Sequence, residues 1–423
     1  YKRSNMAQSR NNILLILLLS VCIVPAFANT ITTNATSFKG KEWINVHWEY
    51  TSAGYAEDCW IGLFAPPGIP PMHAIKAEAS QSSLPYVSTA PIKFINCSQG
   101  GNDYGKGSYD FYVNNYRQDI FFAMFSGGLT IPVEVVRTKP ITNLLPNIPM
   151  HLRLSLTKHK NEMQVGWTSR ISEAINVQYS LGNKNNLTNF IKASSVETYG
   201  IDDLCGPPAN NDGWFEPGYF FNAVIKYGNY EGQIYYRVGS NKAGWSDVKS
   251  FSTFPVGNQV KMLLTADVGA TEIDGTHYHW EEPNASSTYR LMSGDINNSY
   301  IALHVGDIAY ATGYMSKWEN FMHQIEPISQ QIPYMIGLGN HERDYPGTGT
   351  IGNTDSGGEC GVPAKHRFKM PIPTMDSDNF YYSFNVGRLV HMIMIDTETK
   401  EVGPGSEQYD FLERDLQNIN RTD

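Results

Sequence analysis

Asp267, Asp307, Tyr310, Asn340 and His341 each lie just beyond a short apolar run, and their types are those that bind a metal. Gln259-Val-Lys-Met-Leu-Leu-Thr-Ala266 leads into Asp267-Val268-Gly269. Tyr300-Ile-Ala-Leu-His-Val305 leads into Gly306-Asp307-Ile308-Ala309-Tyr310, and Pro333-Tyr-Met-Ile-Gly-Leu338 into Gly339-Asn340-His341-Glu342. Two carboxylates, a phenol and an amide oxygen are hard donors for hard or borderline metals. The carboxylates repel one another unless a cation lies between them, so one Asp can bridge two ions. Free tyrosine ionises only near pH ~10, so a phenolate at neutral pH or below needs a strong Lewis acid such as ferric iron. The neutral Asn suits a second, divalent ion. Two metals ~3.5–4 Å apart can hold a phosphoryl oxygen and generate hydroxide for in-line attack.

The elements that must position these groups follow from the same stretch. Continuous apolar runs of this length suit strands covered on both faces, as in a parallel sheet. Tyr314, Trp318, Phe321, Met322 and Ile325 fall on one helical face, so the unit reads β-α-β-α-β. In open α/β sheets the site lies at the carboxyl ends of the strands, where Asp267, Asp307 and Asn340 fall. His304 lies inside a strand run and reads as a packed core histidine; His277 and His279 read as loop residues.

Asp267-x-Gly269, Gly306-Asp307-x-x-Tyr310 and Gly339-Asn340-His341-Glu342 resemble the first three motifs of the purple acid phosphatases, a branch of the calcineurin-like metallophosphoesterases. The wider superfamily has His where Gly269 stands and Asp where Tyr310 stands, the exchange typical of the purple branch. Ala266 departs from the Gly usual there, which bears on loop geometry more than on chemistry. The resemblance implies that Asp267 and Tyr310 hold Fe(III), that Asp307 bridges, and that Asn340 holds a divalent partner, iron, zinc or manganese. It gives His341 a hydrogen bond to the phosphate or leaving group. The implied reaction is hydrolysis of phosphate monoesters by metal-bound hydroxide, with small phosphorylated substrates as partners. A nucleotide pyrophosphatase or phosphodiesterase on the same site is the near alternative. A rival of another class is a secreted binding glycoprotein whose metal domain is vestigial. The family's later Val-x-x-His and Gly-His-x-His motifs do not occur here. The chain therefore reads as a partial sequence of a functional enzyme, inactive as it stands.

The chain has 423 residues, 41% of them hydrophobic and 12% aromatic, enough for two or three cored domains. Its net charge of −9 argues against nucleic acid as the main partner. Met6, Arg10, the run Ile13 to Leu19 and Ala26-Phe27-Ala28 form a secretory leader cleaved after Ala28, with residues 1–5 as upstream sequence. The run is short for a membrane span, and no other candidate occurs. The expected compartment is extracellular or within the secretory pathway, vacuole or lysosome included. Cys59, Cys97, Cys205 and Cys360 then allow up to two disulfides, with three pairings open. Asn34, Asn96, Asn186, Asn284, Asn297 and Asn420 begin glycosylation sequons.

Residues 29–138 read as a β-sandwich of aromatic-rich strands divided by Gly and Pro, with Pro66-Pro67-Gly68 marking one turn. Tyr104, Tyr109 and Tyr112 read as core or cross-strand residues rather than a binding surface. Residues 139–257 open on a Pro- and Asn-containing linker, Pro140 to Pro149, and continue as an immunoglobulin-like sandwich. This segment resembles the fibronectin type III-like domain of plant-type, high-molecular-weight purple acid phosphatases; the additional sandwich before it resembles their longer subgroup. Residues 258–423 form the incomplete α/β metallophosphoesterase domain. Within them Gly347 to Gly361 reads as a mobile loop beside the site, Asn379 to Asp396 as a hairpin about Gly387-Arg388, and Ser406 as the cap of a helix presenting Tyr409, Leu412, Leu416 and Ile419 on one face.

Overall fold

The computed structural model describes residues 29–50, 58–65, 90–100, 105–254, 259–350, 352–373, 380–387 and 389–419. The leader, Pro66-Pro67-Gly68, Tyr104, Arg388 and the Asn420 sequon lie outside the described residues.

The first sandwich packs a sheet of Thr30–Thr33, Glu42–Glu49 and Lys106–Val113 against one of Lys93–Asn96, Trp60–Phe64, Phe121–Ser126 and Val133–Arg137. In Glu42–Glu49 the alternation predicted for a half-buried strand is met: Ile44, Val46 and Trp48 are buried, their neighbours are not. Trp43 pairs across the sheet with Tyr112, and the Tyr109 hydroxyl donates to the Asp274 carbonyl. Both tyrosines therefore pack rather than display a surface. The stretch Pro140 to Pro149 is more than a linker. Its Thr142–Asn143 pairs in parallel with Ser37–Phe38, which stitches it back into the first sandwich.

The second sandwich has one sheet of Met150–Ser155, Glu162–Ser169, Tyr219–Lys226 and Ser195–Glu197. The other contains Asn189–Lys192, Asn176–Leu181, Gln233–Ser240 and Gly244–Trp245, with Lys249–Ser252 also paired to Gln233–Ser240. Trp167 fills its core, stacked on Phe221 and donating its indole N–H to the Ala174 carbonyl.

The third unit is the one that carries the motifs. Met262–Thr265, Ile301–Val305 and Tyr334–Gly337 form a parallel sheet in chain order, linked through helices Ala285–Asp295 and Met315–Ser329. Among the described residues Leu264, on the first strand, is 68% exposed. His304 is fully buried and shares a 2.9 Å hydrogen bond with the Tyr334 hydroxyl, as a core histidine should. The hairpin forms between Tyr382–Val386 and Val390–Met394. Ser406 caps helix Glu407–Asn418 by accepting the Tyr409 N–H, but the predicted apolar face is only partly covered. Leu416 is exposed, and the helix is anchored through polar groups instead: Gln408 bonds Asp396, while Asp415 accepts from Ser383 and pairs with His391.

Two disulfides settle the pairing left open by the sequence: Cys59–Cys97 within the first sandwich, and Cys205–Cys360 between the second sandwich and the third unit. The second ties down the end of the stretch Gly347 to Gly361. Gly358 and Gly357 carbonyls accept the Cys205 and Ala209 N–H groups, and Ser356 and Glu359 are buried. His277 and His279 are also more than loop residues. His277 exchanges both backbone hydrogen bonds with Phe94 of the first sandwich, and His279 stacks on Tyr314 at 3.8 Å. Asn34, Asn96, Asn186, Asn284 and Asn297 are all exposed. Among the described residues no helix is long and apolar enough to cross a membrane.

Candidate metal centre

Parallel pairing brings the three strand ends side by side, and the ladder continues past them. The Asp267 N–H donates to the Gly306 carbonyl, Gly269 to Ile308, and Gly306 to Gly337. Asp267, Asp307 and Tyr310 all have left-handed backbone, with φ of 56°, 45° and 47°. Such a conformation is rare for a bulky residue and costs ~1–3 kcal/mol each, so three in one cluster mark a functional site.

The strain turns the donor groups toward one point. The Tyr310 hydroxyl lies 3.2 Å from Asp267 Oδ1 and 3.3 Å from Asp307 Oδ2. Asp307 is 8% exposed, and its Oδ1 accepts the His341 backbone N–H at 3.1 Å. Asn340 donates its amide N–H to Asp355 at 2.9 Å, which leaves the amide oxygen as its Lewis base. The His341 ring lies 4.4 Å from that of Tyr310, and its Nδ1 is buried without a hydrogen-bond partner. Asp267, Asp307, Tyr310 and His341 therefore meet in one cluster, while Asn340, next in the chain to His341, has its side chain bonded to Asp355. Gly339 permits the approach: a Cβ there would fall 2.2 Å from Asp307 Oδ1.

Burial pushes the Asp307 carboxyl up, and burial with the Asp307 and Asp267 charges pushes the Tyr310 phenol well above its ordinary range. Protonated, Tyr310 has one O–H within reach of two carboxylates and can donate to only one of them at a time. A cation in the same place would bind all three oxygens and remove the repulsion between them, so this donor set fits a hard metal. Among the described residues no three His, Cys, Asp or Glu side chains stand close enough to hold an ion. What the structure brings together is two carboxylates and a phenol.

Several residues that support the centre carry no sequence signal of their own. Glu342 closes the third motif. It is buried and accepts the Ile308, Ala309 and Gly339 N–H groups, joining the loops after the second and third strands; burial, with Asp307 adding, pushes it up to about 8. Lys317 is 2% exposed and donates to the Tyr310 and Trp280 carbonyls. Glu359 accepts the Gly313 N–H and the Trp318 indole. A polar residue at helical spacing, as Lys317 is within an apolar face, is the one hint that was available.

A family model described as "Fn3-like domain from Purple Acid Phosphatase" matches residues 29–143, and "Purple acid Phosphatase, N-terminal domain" matches residues 149–253. The fibronectin-like description thus falls on the first sandwich. "Probable inactive purple acid phosphatase 27" of Arabidopsis thaliana is 32% identical over 392 residues, covering 90% of this chain and 63% of the relative. A "Nucleotide pyrophosphatase/phosphodiesterase" of Hordeum vulgare is 36% identical over 183 residues, 42% of this chain and 48% of that one. The chain spans less than two thirds of the length of the Arabidopsis relatives it matches. The structure of purple acid phosphatase PPD1 from yellow lupin (Lupinus luteus) seeds superposes with a TM-score of 0.81 at 32% identity, covering 92% of this chain and 70% of that one. Two sandwiches, a parallel sheet with the motifs at its strand ends, and this likeness along the chain make it a member of the purple acid phosphatase family.

Proposed function

We propose that the protein is a secreted dimetal acid phosphatase acting on small phosphate monoesters, with Asp267 and Tyr310 holding ferric iron, Asp307 bridging, and Asn340 holding divalent iron, zinc or manganese. The observation that carries this reading is the meeting of the Tyr310 hydroxyl with both carboxylates, at 3.2 and 3.3 Å, from three strained positions. When bound, the ions would supply Lewis acidity toward a phosphoryl oxygen and an activated water. The chain's own residues do the positioning. Asp307 and Glu342 fix the loops that present the donors, and the His341 ring stands beside Tyr310, able to donate to a phosphate oxygen or to the leaving group.

The barley relative's printed activity favours a second reading, cleavage of a pyrophosphate or phosphodiester bond on the same site. The Arabidopsis names favour a third, a fold that binds without turnover. The test is the full-length protein loaded with iron and assayed on nitrophenyl phosphate, bis-nitrophenyl phosphate and ATP. Fastest turnover of the monoester supports the reading, preference for the diester or ATP selects the second, and no turnover by folded, metal-loaded protein selects the third. Tyr310→Phe should abolish a visible phenolate-to-iron band; a band that persists in iron-loaded variant removes Tyr310 from the ligand set. Secretion and glycosylation are part of the proposal, supported by the exposed sequons. A mass shift on glycosidase treatment of protein recovered from the secretory pathway checks them.

A further inference from the structure

Trp280 is 49% exposed, yet it is held in one orientation from two sides. Its indole N–H donates to Glu282 Oε1 at 2.7 Å, and its carbonyl accepts from Lys317 Nζ. Lys317 also grips the Tyr310 carbonyl at 2.8 Å, so one buried ammonium sets the Trp280 segment against the loop bearing the phenol. Glu282 can stand where it does because Gly269 has no side chain; a Cβ there would lie 2.5 Å from Glu282 Cγ. The indole ring lies 6.4 Å from the His341 ring, tilted by 35°, and His341 lies 4.4 Å from Tyr310. Three rings thus lead from the cluster out to solvent. A half-exposed indole fixed in this way loses side-chain freedom for only partial burial, a cost that recognition of a ligand would offset.

We propose that Trp280 is a specificity-determining residue that receives a planar aromatic leaving group, aryl or nucleoside, on its open face while the phosphoryl group occupies the cluster. This rests on the phosphatase reading only for where the phosphoryl group sits. The leaving group would pass over His341 and meet the indole one ring further out, offering stacking to any planar group without reading its edge.

The test compares phenylphosphonate, the non-hydrolysable methylene phosphonate analogue of adenosine 5′-monophosphate, and methylphosphonate as ligands of the full-length, metal-loaded protein, by calorimetry and by indole fluorescence. Phenylphosphonate should bind about tenfold tighter than methylphosphonate, as one ring stack provides. The ratio should fall toward one in Trp280→Ala and be largely kept in Trp280→Phe. The phenyl and adenosine arms distinguish an aryl from a nucleoside group. A ratio near one in the unsubstituted protein, no binding at all, or a ratio unchanged by Trp280→Ala would overturn the proposal. Turnover measured separately on glycerol 3-phosphate reports on the phosphatase reading, so the two can fail independently.

Discussion

Gly269 shows how one residue type reaches beyond its own position. Its φ of +64° is left-handed, and the space where a Cβ would sit is taken by Glu282 and, at 3.2 Å, by the Tyr310 ring. Gly269→Ala should therefore cost roughly 1–2 kcal/mol from backbone strain alone. It should also displace Glu282 and release Trp280, seen as a red-shifted, more quenchable indole emission. Glu359 makes a separate prediction about pH. Burial pushes its carboxyl up to about 7 from 4.5. A carboxyl raised in the fold stabilises it below the unfolded value, and that contribution is lost as pH rises from 4.5 through 7. His304 works in the opposite sense: burial lowers it to about 3, so its contribution is present above pH 6.5 and lost as pH falls toward 3. The difference between variants separates the two. Going from pH 5 to 7.5, the unsubstituted protein should lose up to roughly 3 kcal/mol that Glu359→Gln does not lose, read by urea unfolding at each pH. At this scale Asp267, Asp307, Tyr310, Asn340 and His341 could be named from the sequence because they follow three successive strands. Glu282, Lys317 and Glu359 were not, because each acquires its role only from a partner on another loop or element.

At the scale of elements, helix Met315–Ser329 joins the units through one buried carboxylate. Glu319 accepts from Arg117 of the first sandwich and from Arg367 at 2.8 Å, while Arg367 also donates to Tyr199 of the second sandwich at 2.7 Å. All three charged side chains are almost fully buried. Burial pulls the Glu319 carboxyl up, but the two guanidiniums outweigh it and hold Glu319 below the usual carboxylate range. Glu319→Ala would leave two buried cations uncompensated and should cost about 3–5 kcal/mol. Replacing Arg117, Glu319 and Arg367 together by Met, Leu and Met should recover most of that loss, since no charge is then left unpaired. Denaturant unfolding of both variants checks it; a triple variant as unstable as the single one would mean that the ions do more than balance one another. The long strands of both sandwiches were readable from aromatic and alternating runs such as Glu42–Glu49. The short strands Asn189–Lys192, Ser195–Glu197 and Lys249–Ser252 were not, because they are too brief and polar for a period to emerge. Thr142–Asn143 was hidden by its prolines, which signal a linker whether or not a neighbouring strand recruits it.

For the whole molecule, the two disulfides make an internal comparison possible. Cys59–Cys97 closes 38 residues inside one sandwich, whereas Cys205–Cys360 closes 155 and joins the second sandwich to the glycine-rich loop of the third unit. Loop-closure entropy puts their upper stabilisation at about 4 and about 5 kcal/mol, so loss of stability alone would hardly tell them apart. Their effects on the site should. The Cys205–Cys360 loop carries Asp355, which orients the Asn340 amide, and Glu359, which holds the Gly313 N–H beyond Tyr310. Lys93 of the first sandwich reaches the third unit too, at Asp274, but through the segment that leads toward Trp280 rather than through the loops that bear Asp307 and Asn340. Cys360→Ser in the full-length protein should therefore expose the stretch from Tyr345 to Gly361 to limited proteolysis and weaken divalent-metal binding several-fold, while Cys97→Ser lowers stability and leaves metal affinity unchanged. Equal metal affinity in the two variants, with both folded, would mean that the loop keeps Asp355 against Asn340 without its staple.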